Sequence, residues 1–248
     1  MKMNFKTLGV TATMATGLIL TGGASAFAAD VGEYKSNAII EFEPTTDPIN
    51  PVDPTNPEKP INPIDPTKPD GKPNPGTNGP LSIDYASSLD FGKQKITSTD
   101  QVYKAAAQKF NDSRGDGPNY VQVTDNRGTE KGWSLQVKQN GQFKSDSGKE
   151  LTGAEITFNN SVVNTASESK KPSIVKSSFN LTPEGTGIAQ NIMSAKAGEG
   201  AGTHVLAFGD DTTAADSIEL SVPGKKVKYA EKYNTSLTWT LSDVPGQE

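Results

Sequence analysis

The chain has 248 residues, one histidine, no cysteine and a formal charge of −5, with 33% hydrophobic residues, 24 Gly and 17 Pro. That length fits one or two domains. The absence of Cys excludes thiol nucleophiles, thiolate metal sites and disulfides, and the acidic balance removes the clustered Lys/Arg on which phosphate-driven nucleic-acid binding depends.

In chain order, residues 1–28 read as a secretory signal peptide. Lys2 and Lys6 form a basic head, an apolar run follows, and "ASAFAAD" offers small-residue cleavage sites, best between Ala28 and Ala29. The run is too short to span a bilayer as a helix, and no later stretch is apolar enough to do so. Losing the two lysines takes the charge to −7. The terminal "DVPGQE" carries no apolar sorting tail, so the expectation is an exported chain whose surface attachment is non-covalent.

Residues 29–43 contain "YKSNAIIEFE", in which Ala38, Ile40 and Phe42 alternate with Ile39, Glu41 and Glu43. This predicts one short strand, which needs a partner strand to be stable. Residues 44–80 form a Pro/Asp-rich linker with prolines at 48, 51, 54, 57, 60, 63, 66 and 69. Proline fixes φ and pushes the preceding residue to extended conformations, so the period of three predicts polyproline II. At about 3.1 Å per residue, residues 48–69 would make a spacer of roughly 65–70 Å.

Residues 81–248 carry 18 Lys/Arg against 20 Asp/Glu, a nearly neutral balance. Short β-rich runs recur between Gly, Asn, Asp and Pro breaks: "LSIDY", "YVQVTD", "GWSLQV", "AEITF", "SSFNL", "THVLAF", "SIELSV" and "TSLTWTL". The expected fold is therefore all-β, a sandwich or barrel-like domain preceded by the signal peptide, the short strand and the polyproline II linker. Two segments, "DQVYKAAAQKF" and "IAQNIMSAKA", are rich in helix formers. The first is read as strand; the second stays open between helix and strand.

Both tryptophans sit in a Trp-x-Leu step: Trp133 with Leu135, and Trp239 with Leu241. A two-residue step puts Trp and Leu on one face of a strand, with Ser134, Gln136, Thr238 and Thr240 on the other. Flanking Leu and Val mark these stripes as core-facing, although an indole at the rim could meet a ligand. Tyr120, Tyr229 and Tyr233 are further candidates for an aromatic surface. His204 lies in a strand-like run without a G-x-S-x-G partner, so it reads as an ordinary strand residue. Carboxylate pairs such as Asp125 with Glu130, or Asp210 with Asp211, fall in turn-like sequence where Asp is favoured for turn geometry; a metal site at Asp210, Asp211 and Asp216 lacks the EF-hand spacing. No enzyme activity, cofactor or metal is expected.

"YVQVTDNRGTEKGWSLQV" together with "YNTSLTWTLSDVP" resembles the paired signatures of the WxL domain of low-GC Gram-positive surface proteins. The resemblance extends over the exported chain, from the Phe-Glu-Pro strand to the second motif. It implies a cell-surface protein that binds peptidoglycan in the cell wall non-covalently, and complexes with other surface proteins. It implies neither nucleic-acid binding nor a membrane span once the signal is removed. The alternative is a subunit of a surface adhesion complex that binds partner surface proteins or host matrix components.

Overall fold

The computed structural model describes residues 32–181 and 187–245; the expected signal peptide lies outside them. The chain divides after Glu41 into two units. In the first, residues 32–41 form no strand and are exposed throughout. The strand expected over residues 34–44 is thus corrected to irregular chain, because no ladder neighbour pairs with it and so short a strand does not hold alone.

The described residues of the second unit form fourteen strands: β1 (Leu81–Ala86), β2 (Gln101–Lys104), β3 (Asn119–Asp125), β4 (Trp133–Gln139), β5 (Lys144–Ser145), β6 (Glu155–Phe158), β7 (Ser161–Thr165), β8 (Ile174–Val175), β9 (Phe179–Leu181), β10 (Gln190–Ala195), β11 (Gly202–Phe208), β12 (Ile218–Val222), β13 (Tyr233–Asn234) and β14 (Leu237–Ser242). All ladders are antiparallel. Three four-stranded sheets run β1-β3-β11-β7, β14-β4-β10-β8 and β2-β12-β6-β9, with β13 and β5 as a separate ribbon. Each sheet sends one face into a shared apolar core: Val121, Val123 and Leu206 from the first, Trp133, Leu135 and Met193 from the second, Ile156, Phe158 and Leu220 from the third. Phe158 stacks on Phe179 at 4.8 Å and tilts against Phe208 at 4.7 Å, joining two sheets through aromatic contacts. The expected all-β fold is what forms.

Each of the eight predicted runs contains a strand. Of the two helix-prone segments, "DQVYK" supplies β2 and "QNIMSA" supplies β10, where pairing with β4 overrides helix propensity.

The proline-rich segment corrects a second expectation. It is not an extended rod but two copies of one looped unit, twelve residues apart. In the first copy Asn56 N donates to Asp53 O and Lys59 N to Asn56 O, closing two successive β-turns with Pro54 and Pro57 at their second positions. Asp53 N then donates to Lys59 O at 2.8 Å and closes the loop. In the second copy the same three bonds link Asp65, Lys68 and Gly71, with Pro66 and Pro69 in the corresponding places. In each, the aspartate Oδ1 accepts from the backbone N and hydroxyl of the threonine two residues on, Thr55 or Thr67. A fixed φ near −65° suits this turn position as well as it suits polyproline II, so a period of three also describes consecutive turns.

These loops cover the outer face of the first sheet. Ile61, together with Val52, packs with Tyr85, Phe110, Tyr120, Val205 and Ala207 in a second apolar cluster, and Ile61 is only 5% exposed. A bulge in β1 between Ile83 and Tyr85 makes this possible: Ile83 joins the main core while Tyr85 joins the second cluster. Backbone bonds from Ile64 N to Lys109 O and from Asn111 N to Asn62 O fasten the loops along the chain around Phe110.

Candidate functional site

The two Trp-x-Leu strands are direct neighbours. β14 pairs with β4 so that Trp239 faces Val137 and Leu241 faces Leu135 across the ladder. β4 is central and β14 is an edge, and that position decides the fate of each indole. Trp133 is 0% exposed, and its Nε1 donates to Gly200 O at 3.0 Å. Gly200 holds φ +79, and a Cβ there would sit 2.7 Å from that same Nε1, so only glycine fits against the ring. His204, wholly buried 6.3 Å from the indole, hydrogen-bonds Ala201 O through Nε2, and burial lowers its pKa so that the ring stays neutral. Leu135 is buried with Trp133, whereas Leu237, Trp239 and Leu241 remain half-buried.

The residues before Trp133 brace the fold. Along β3, Val121 and Val123 enter the main core while Tyr120, Gln122 and Thr124 face the proline-rich cover. Gln122 accepts from Val52 N and donates to Asn50 O and Asp84 Oδ2. Thr124 Oγ1 also donates to Asp84, whose pKa is raised by burial against these lowering bonds. Tyr120 was expected as a possible aromatic surface residue; it is fully buried, its ring 4.6 Å from Tyr85. Arg127 chelates Asp125 through Nε and Nη2 and reaches Gly132 O, which fixes the turn that delivers Trp133.

The cover itself is latched by charge. Arg114 donates to Asp53 Oδ2, Thr55 Oγ1 and Asp211 Oδ1, each at 2.7 Å, and lies over the Phe110 ring at 5.1 Å. Burial alone would raise the Asp53 pKa, but hydrogen bonds from Arg114 and Thr55, with the guanidinium charge, hold it below 3.8. The equivalent Asp65 accepts from Ser88 through its own Oδ2. Sequence reasoning missed this arrangement; the signal for it was "DPT" recurring at residues 53 and 65.

A groove of about 1390 Å³ opens on this side of the fold. One end strand of each four-stranded sheet meets there: β1 through residues 83–86, β2 through Tyr103 and β14 through residues 237–239. Phe143, Leu151 and Leu220 of the main core line it too, and Tyr229, Tyr233, Phe91 and Ile96 line the rest of its wall. Of the residues singled out from the sequence, Tyr229, Tyr233 and Trp239 therefore come together, while Trp133, Leu135 and Tyr120 are elsewhere in the interior. Tyr229 is 43% exposed, with Lys149 Nζ 5.4 Å from its ring centre, and its backbone N donates to Tyr233 Oη. Lys93, Lys95 and Lys232 are exposed at the rim, and among the described residues none of them forms an ion pair.

Of the carboxylates weighed for catalysis or metal binding, Asp125, Glu130, Asp210 and Asp211 are engaged in local structure. Asp125 is held by Arg127, Glu130 accepts from Ser169, and Asp211 pairs with Arg114. Asp210 is held down at about 2 by the hydroxyl and backbone donors of Thr212 and Thr213. Among the described residues no three His, Asp or Glu side chains gather as a metal site would require, and no helix is long and apolar enough to cross a membrane.

A family model described as "WxL domain surface cell wall-binding" matches residues 29–245. No curated protein and no solved structure matches the chain.

Proposed function

From the chain's membership of the WxL family of surface cell-wall-binding domains, we propose that it is an exported protein that holds peptidoglycan non-covalently at the cell surface. The match across residues 29–245 carries this reading, because it takes in the proline-rich cover as well as both Trp-x-Leu strands. The aromatic lip of the groove is the surface best suited to a glycan. Tyr229 presents a partly open ring beside Tyr233, and rings of this kind offer a flat apolar face with a polar edge.

Retention of the chain from Ala29 on purified sacculi tests the proposal. The wild-type chain should stay bound through washing, and Tyr229→Ala should weaken it about two- to tenfold, as expected for losing roughly 0.5–1.5 kcal/mol of ring contact. A wild-type chain that washes off refutes wall binding; equal retention of the variant refutes the lip. The second reading, a subunit of a surface complex, is favoured by one observation: three sheets each leave an end strand at one opening.

A further inference from the structure

We propose that the groove receives a strand from a second copy of this chain, residues 38–43, laid antiparallel or parallel along the free edge of β14. The argument starts from what the core lacks. On β4, Trp133, Leu135 and Val137 are fully buried, yet their neighbours Leu237, Trp239 and Leu241 on β14 stay half-open. β4 is the sole ladder partner of β14 among the described residues, so the alternate backbone groups of its outer edge are unpaired where residues 237–239 line the groove. Such an edge is a template for another strand, and an apolar wall beside it selects the side chains. Of the other two end strands, β1 is capped where Thr77 N donates to Ile83 O and Thr77 Oγ1 accepts from Ile83 N. β2 has only four residues. The long free edge is β14.

Residues 38–43 have the complementary chemistry. Ile39 is 98% exposed, Ile40 75% and Phe42 85%, an apolar run with no cover of its own. In extended form Ala38, Ile40 and Phe42 share one face and would continue the stripe of Leu237, Trp239 and Leu241. Ile39, Glu41 and Glu43 project from the other face, and Lys93, Lys95 and Lys232 among the groove-lining residues carry charge opposite to the two glutamates. Pro44, which has no N–H for a ladder, ends the run. Because donor segment and acceptor groove are different surfaces, each chain gives one strand and receives another, reciprocally in a dimer or head to tail in a longer assembly.

Sedimentation of the chain from Ala29 across a wide concentration range, with the double variant I40R/F42R beside it, tests this. The wild type should associate as concentration rises and the variant should stay monomeric with an unchanged melting temperature. A synthetic peptide of residues 36–44 should then bind the variant, whose groove is intact, and shift its indole emission; the same peptide with Ile40→Arg should bind roughly tenfold more weakly or worse. A monomeric wild type overturns the proposal, whether its own segment or another protein's strand occupies the groove. So does a peptide that fails to bind, or a variant that associates like the wild type. Retention of I40R/F42R on sacculi is read separately, so failure here leaves wall binding standing.

Discussion

Ile61→Ala separates a folded cover from a spacer. On an extended rod, Ile61 would be a solvent-facing side chain, and its truncation would change stability by less than about 0.5 kcal/mol. In the structure it is buried among Tyr85, Phe110, Tyr120, Val205 and Ala207. Truncation removes three carbons, worth about 2.4 kcal/mol at roughly 0.8 kcal/mol each. A residual cavity adds to this, and because loops can settle into the space the total should be about 2.5–3.5 kcal/mol. For a domain of this size that corresponds to a fall in melting temperature of roughly 5–14 °C. Urea denaturation and a thermal scan measure it, with Lys59→Ala, an exposed position on the same loop, as the control. A loss below about 0.5 kcal/mol for Ile61→Ala, or an equal loss for Lys59→Ala, would refute the assignment of the segment as part of the core.

Two further outcomes are expected. A collisional quencher should reach part of the indole emission of the wild type, and Trp239→Phe should remove that part while the Trp133 emission stays shielded; undiminished quenching in the variant would contradict the burial of Trp133. Asp53→Asn should cost roughly 2–4 kcal/mol near neutrality, since it strips Arg114 of its one well-buried carboxylate. The native Asp53 pKa lies below 3.8, so its contribution is present above that pH and is lost as pH falls through the native value. Urea titrations at stepped pH should therefore show the gap between wild type and variant closing below about pH 4, and a gap of constant size would count against the ion pair.

Strands whose burial alternates or is complete were legible from the sequence: "YVQVTD", "GWSLQV" and "THVLAF" became β3, β4 and β11, the strands at the centre of the fold. The edge strand β7 was not, because "SVVNT" buries little and so shows weak patterning. β10 was masked by helix formers, whose preference yields to pairing with β4 and β8 on either side. The proline-rich segment was misread for a different reason. Proline's φ is common to turns and to polyproline II, and the choice between them was made by Asp-Thr hydrogen bonds and by apolar residues seated on a distant sheet. Each Trp-x-Leu step was legible as a strand with a core-facing stripe, but that the two strands pair and which Trp would be open followed from sheet order, which no local pattern encodes.

The way the cover is attached bears on how the molecule responds to tension. A pull arriving from the N-terminal side meets the bond from Val52 to Gln122 first, then the Arg114 latch on Asp53, then Ile61, then the Asp65 contact with Ser88, and last the Thr77 bonds to Ile83. Lying in series along the chain, these attachments yield one after another rather than together. Peeling residues 52–79 would release roughly 90–100 Å of chain at about 3.3–3.6 Å per residue. The same residues that shield a sheet at rest thus make a stepwise extensible tether, whose slack is spent before the main core is stretched.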